Sequence, residues 1–143
     1  MVNVTSSGSE HGNWFPHKVV GRSEDGYCYT NNVPNSWMVI DIGDTRRLIV
    51  GHYCIRHGND SLGHALRNWD FQGSLDNSTW TTLKSHVNDQ PLAATGYSVA
   101  HWPVDHIQSP FRYFRLYSTG LDSSSRNFTV CGGLELWGLL QEQ

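Results

Sequence analysis

Asn68-Trp-Asp-Phe-Gln-Gly-Ser-Leu-Asp-Asn-Ser-Thr-Trp-Thr-Thr-Leu83 reads as two strands joined by a turn. In the first strand Trp69, Phe71 and Gly73 share one face, and Asp70 and Gln72 share the other, because successive side chains of a strand point to opposite sides. Asp76-Asn77 supplies turn chemistry, and Thr79-Trp-Thr-Thr-Leu83 returns as the partner strand. Working outward, Trp37-Met-Val-Ile-Asp-Ile42 is a β-branched run closed by Gly43-Asp44, and Arg47-Leu-Ile-Val-Gly-His-Tyr-Cys-Ile-Arg56 is a longer run with Gly51 as the candidate bulge. Tyr97–Trp102, Phe111–Tyr117 and Gly133–Gly138 complete the set. No segment keeps a helical apolar period over three turns. Seven or eight short strands separated by turn signals predict an all-β protein, a β-sandwich of antiparallel strands.

The chain has 143 residues, which suits one domain with its own core. Six Trp, six Tyr and five Phe set against only 16% charged residues describe a folded domain with an aromatic core. The net charge is −3 and there is no Lys/Arg run, so nothing points to nucleic acid. No apolar stretch approaches the roughly 20 residues that span a bilayer. Cys28, Cys54 and Cys131 make an odd count. An odd count argues against a complete disulfide framework and predicts free thiols, hence an intracellular, cytoplasmic setting.

Four strings taken in order resemble one family. They are Ser36-Trp-Met-Val-Ile-Asp-Ile-Gly43, the 69–83 hairpin, Phe111-Arg-Tyr-Phe-Arg-Leu116 and Leu134-Glu-Leu-Trp-Gly138. Their wording and spacing are similar to the discoidin, or F5/8 type C, domains of the galactose-binding-like superfamily. The resemblance implies a jelly-roll-like sandwich of about eight strands over residues 1–143, a single domain excised from a larger protein. Secreted members bridge a Cys near each end, and this chain has none near its start. Gly12-Asn-Trp-Phe-Pro-His17 and Arg56-His-Gly58 followed by Ala65-Leu-Arg-Asn-Trp69 are more similar to the intracellular copies in HECT-type ubiquitin ligases and BTB-domain proteins.

The residues offer little for catalysis. There is no nucleophile elbow, no Cys-x-x-Cys and no His-x-x-x-His, and His52 and His57 fall on opposite faces of a strand. Asp41 and Glu135 read as strand-edge structural carboxylates, one of them a partner for Arg112 or Arg115; the other arginine is expected to cover apolar surface. Trp37, Trp69, Trp80 and Trp137 read as core or core-edge packing. No cofactor is expected, although the resemblance allows a loop calcium ligated by backbone oxygens.

What remains is two long polar loops, residues 8–36 and 57–67, which the resembled fold brings together at one end. They carry Trp14, His17, Arg22, Arg56, His57, His64 and Arg67. Arginine captures carboxylates and carbonyls with a planar fork, and an aromatic beside it suits peptide or sugar. The Ser-rich residues 118–127 are expected to be mobile. The expected function is a non-catalytic ligand-binding module that recognises a protein or peptide substrate, with carbohydrate as the alternative ligand. A membrane partner ranks last, because no exposed apolar spike with neighbouring Lys is evident.

Overall fold

In the hairpin, Trp69 and Phe71 are completely enclosed while Asp70 looks outward, as the alternation requires. The structure, a computed structural model, describes residues 1–8, 19–20, 27–58, 63–104 and 109–143. Its strands are β1 (Asn3–Ser6), β2 (Cys28–Tyr29), β3 (Trp37–Asp41), β4 (Arg46–Arg56), β5 (Trp69–Ser74), β6 (Thr81–His86), β7 (Val99–Pro103), β8 (Tyr113–Ser118), β9 (Val130–Cys131) and β10 (Gly133–Glu142). Five of them form one antiparallel sheet in the order β1-β3-β8-β5-β6, and three form a second in the order β10-β4-β7. No helix among the described residues is long and apolar enough to cross a membrane.

The two sheets bury their facing sides. Met38 and Ile40, Phe114 and Leu116, and Trp69 and Phe71 come from the larger sheet; Val50, Tyr53, Ile55 and Trp102 come from the smaller. Tyr53 stacks on Phe71 with centroids 4.2 Å apart, and Phe71 continues the stack to Phe114. Burying each such ring contributes about 1.5–3 kcal/mol, so this layer dominates the stability of the domain.

The expected bulge sits at Gly51. Leu48 and Val50 face inward, and beyond the extra residue the inward positions are Tyr53 and Ile55. Across the pair, His52 is opposite Trp137 and Val50 is opposite Gly138, so Gly51 has no partner on β10. A Cβ on Gly138 would lie 1.8 Å from the Ile49 carbonyl oxygen, a backbone atom that cannot yield.

Of the four tryptophans read as core or core-edge, three lie on outer faces. Trp37 shares the parity of Asp41, since Met38 and Ile40 take the inward positions. Trp137 shares the parity of Glu135 and is 46% exposed. Trp80 precedes β6 and is only half-buried. Trp69 is the core tryptophan of that set, and Trp102 joins it from β7. β1, β2 and β9 carry too few residues to show a pattern in the sequence.

The arginine pair divides as anticipated. Arg112 grips Asp41 with two bonds of 2.8 and 2.9 Å, tying the end of β3 to the start of β8 and holding the Asp41 carboxyl below the usual range. Arg115 lies on aromatic surface, over Trp80 and Tyr117.

Candidate functional site

One end of the sandwich gathers the segments that follow β4, β6 and β8, so residues 57–58, 63–68, 87–98 and 119–129 converge there. β2 and β9 form a short ribbon at this end, with Cys28 opposite Cys131 and Tyr29 opposite Val130. Tyr27, Tyr29, Phe128 and Val130 make a second apolar cluster beneath the loops. Burial and the neighbouring tyrosines push the Tyr27 hydroxyl up to about 12.

The predicted site residues separate on this frame. Trp14, His17 and Arg22 lie outside the described residues. Arg56 ends β4 and donates from Nη2 to the Gly132 carbonyl at 2.7 Å, while the Gly132 amide bonds the Arg56 carbonyl at 2.7 Å. This clasp puts Arg56 on the outer side of the smaller sheet, beside Cys54, Val99 and His101. His57 is fully buried; its Nε2 meets the Gly63 carbonyl and its amide meets Ser98. Burial holds its imidazole below the ordinary pKa of 6.5. It therefore supports the loop from below instead of facing solvent, which corrects its placement among the surface ligands.

His64 and Arg67 do reach the loop end. His64 adopts a left-handed backbone with φ of 54°, donates its amide N–H to Ser124 Oγ at 3.1 Å, and sets its ring edge-on to Phe128 and Tyr29 at 4.7 and 5.9 Å. That contact joins residues 27–30 to the 57–67 loop. Arg67 donates from Nη1 to the Leu66 and Leu92 carbonyls at 3.0 and 2.6 Å, leaving Nε and Nη2 without a partner among the described residues. With Asn68, Asn88, Gln90, Asp122 and Ser123 it lines a polar hollow of about 380 Å³.

The sequence reading missed the far wall of this hollow. Residues 118–127, expected to be loose, are stitched in place. Asp122 is buried and its Oδ1 accepts the Ser124 and Arg126 amides at 2.8 and 3.0 Å. Ser123 pairs with Ala65 through amide and hydroxyl, both at 2.9 Å, locking this loop to the 57–67 loop. A short polar residue that caps its own turn is the signal that Asp122 carried. Asn68 holds Asn88 in the same way, through a 2.9 Å bond to its amide.

The chemistry available is hydrogen bonding to a polar ligand. Among the described residues no three His, Cys, Asp or Glu are placed to hold a metal ion. Among the described rings at this end, Tyr27, Tyr29 and Phe128 are each at most 8% exposed, while Tyr97, in the loop after β6, is 36% exposed.

Comparison with known proteins agrees with this architecture. The F5/8 type C domain family matches residues 3–132. A BTB/POZ domain-containing protein of Arabidopsis thaliana is 39% identical over 122 residues, which is 82% of this chain and 14% of that protein. The E3 ubiquitin-protein ligase Ufd4 of Drosophila melanogaster is 34% identical over 150 residues, 96% of this chain and 5% of the ligase. The chain thus spans a small part of either relative. Among solved structures, the family 32 CBM from C. perfringens NanJ in complex with galactose superimposes with a TM-score of 0.72 over 98% of this chain and 93% of the module, at 10% identity. That likeness shows the β-sandwich fold.

Proposed function

The chain belongs to the F5/8 type C domain family, and from that premise we propose that it is a non-catalytic module whose loop-bearing end recognises a protein or peptide, recruiting it to a larger cytoplasmic ubiquitin ligase or BTB adaptor. The observation that carries this reading is the hollow around Arg67. Its wall includes amides, a hydroxyl and a guanidinium edge, the groups that satisfy a peptide backbone, beside Leu121 and the Asp122 carboxylate. A pyranose is ordinarily held by an open aromatic face, and of the described rings at this end Tyr27, Tyr29 and Phe128 are buried while Tyr97 is exposed. The relatives that resemble the chain in sequence, a BTB protein and a ubiquitin ligase, support the setting. The carbohydrate alternative is favoured by the sugar complexes among the structural neighbours and by the exposed Tyr97 ring at the loop end.

The test pairs capture of partners from cell lysate with a glycan array, using the 143-residue chain and its Arg67→Ala, Asn88→Ala and Trp14→Ala variants. The expected result is a protein partner whose binding weakens by at least about tenfold in Arg67→Ala, the scale of a central anchor, with an unchanged melting temperature. A strong, saturable glycan signal that Arg67→Ala abolishes, with no protein partner, would replace this reading with the lectin one.

A further inference from the structure

The outer face of the five-stranded sheet carries an arrangement the loop end does not use. Arg115 stands mid-strand in β8, paired with Val39 on β3 and Gln72 on β5. Its Nε donates to Gln72 Oε1 at 2.8 Å. Its guanidinium carbon lies 4.1 Å from the Trp80 ring centroid and 4.5 Å from that of Tyr117. Three contacts, from β5, from the turn before β6 and from its own strand, fix a side chain that is ordinarily among the most flexible. A notch of about 260 Å³ opens beside it, lined by Trp37, Val39, Asn77, Trp80 and Arg115.

The charge on this arginine is unanswered. Arg112, three residues earlier, has Asp41; Arg115 has no ion-pair partner among the described residues, and its Nη1 and Nη2 make no hydrogen bond there. The nearest acid along the turn, Asp76, is spent on the Ser78 and Thr79 amides at 2.9 and 2.8 Å and on Ser74 Oγ. Partial burial lowers the affinity of the guanidinium for its proton, the mark of a cation stripped of water without a counter-ion.

We propose that this notch is a second binding site, which takes the side-chain carboxylate of an acidic peptide residue flanked by an apolar one. The paired Nη groups match the two oxygens of a carboxylate. The wall of Trp37 and Val39 suits the apolar neighbour, and the Asn77 amide can both donate to and accept from a peptide group. A single cation favours a monoanion over a phosphate dianion. The rings of Trp80 and Tyr117 each have one face covered by the guanidinium, which leaves less open aromatic surface for a sugar. The site is independent of the loop end, so one module could hold two points of an extended partner.

The probe is acetyl-Leu-Glu-Leu-amide, titrated into the isotope-labelled 143-residue chain and followed by the Arg115 Nε–H and the Trp37 and Trp80 indole resonances. Acetyl-Leu-Gln-Leu-amide serves as the neutral isostere, with glucuronic acid and inorganic phosphate as rival anions. Saturable shifts at those three groups are expected, with a dissociation constant on the order of 1 mM. The Gln peptide should bind at least about fivefold more weakly, because charge-assisted bonds are about twice as strong as neutral ones. Arg115→Lys should weaken the Glu peptide by a similar factor and Arg115→Gln should abolish its effect, while the Trp69 indole, far inside the core, keeps its position. Should either variant unfold, the comparison of the two peptides on the unaltered chain decides the matter. Equal binding of the Glu and Gln peptides, silence at the three reporters, or preferential binding of glucuronate or phosphate would each overturn the proposal.

Discussion

The Tyr53 hydroxyl is hydrogen-bonded to Nε2 of His86 between the two sheets, where neither residue is more than 2% exposed. The bond belongs to a chain of donors and acceptors with no gap. Trp69 Nε1 donates to the Tyr53 oxygen at 3.1 Å, and Tyr53 donates to His86. His86 Nδ1 donates to Asp89 at 2.8 Å, and Trp102 Nε1 reaches the same carboxylate. The residue types are those of a general-base relay, but enclosure denies them a substrate, and their work is to let three large aromatic rings be buried without an orphaned polar atom. Tyr53→Phe leaves Trp69 Nε1 and His86 Nε2 unpaired together. It should cost about 2–4 kcal/mol, one desolvated group at each end of the missing hydroxyl, read as a lowered midpoint of denaturant unfolding.

The same chain fixes the response to acid. Burial holds the imidazoles of His86 and His57 below the ordinary 6.5, so both are neutral in the folded protein. As pH falls through 6.5 the unfolded chain takes up protons that the folded chain refuses. Stability is therefore full above that value, declines as pH drops toward the folded pKa values, and levels off beneath them. Melting temperatures measured between about pH 7.5 and 5 should fall steadily; a flat profile would mean that neither ring titrates differently in the fold, and a rise on acidification that they are charged there.

Two tryptophans one hairpin apart should behave differently. Trp69→Ala empties a fully enclosed site and should cost about 3–5 kcal/mol. Trp80 rests on the outer face against Arg115, so Trp80→Ala loses a half-exposed packing and cation–π contact of about 1 kcal/mol. Equal losses in calorimetric melts would show that the outer arrangement is wrong.

All three cysteines are unbonded and buried. Burial pushes the Cys28 thiol up to about 12 and raises Cys131 as well, so neither supplies thiolate at neutral pH. Titration with a disulfide reagent should proceed slowly in the native protein and reach three equivalents in denaturant without reductant. A single equivalent would reveal a bridge.

The strands legible in the sequence were those long enough to repeat a two-residue period. β4 even declared its irregularity, because Gly51 interrupts a β-branched run where the inward parity must change. The outer tryptophans were misread because size suggests burial, whereas the parity of Met38 and Ile40 already assigns Trp37 to the other face. At the loop end, Arg67 was legible as a cation in a polar segment. Asn88 was not, because it acts through Asn68, distant in the chain; Asp122 carried only the local signal of a turn cap, and Ser123 beside it is what reaches Ala65.

The β2–β9 ribbon has a consequence for how the domain comes into being. Thr129 meets Thr30 across 99 residues of sequence, and Ser36 meets Thr129 across 93. Closing so long a loop costs entropy before any contact repays it, and topologies of this kind fold slowly. During synthesis the first half of the chain must wait, with Tyr27 and Tyr29 uncovered, until Phe128 and Val130 have emerged to sheathe them. The loop-bearing end is thus the last part of the module to acquire its shape, and a nascent chain halted before that point has two tyrosines bare where the finished domain has a sealed ribbon.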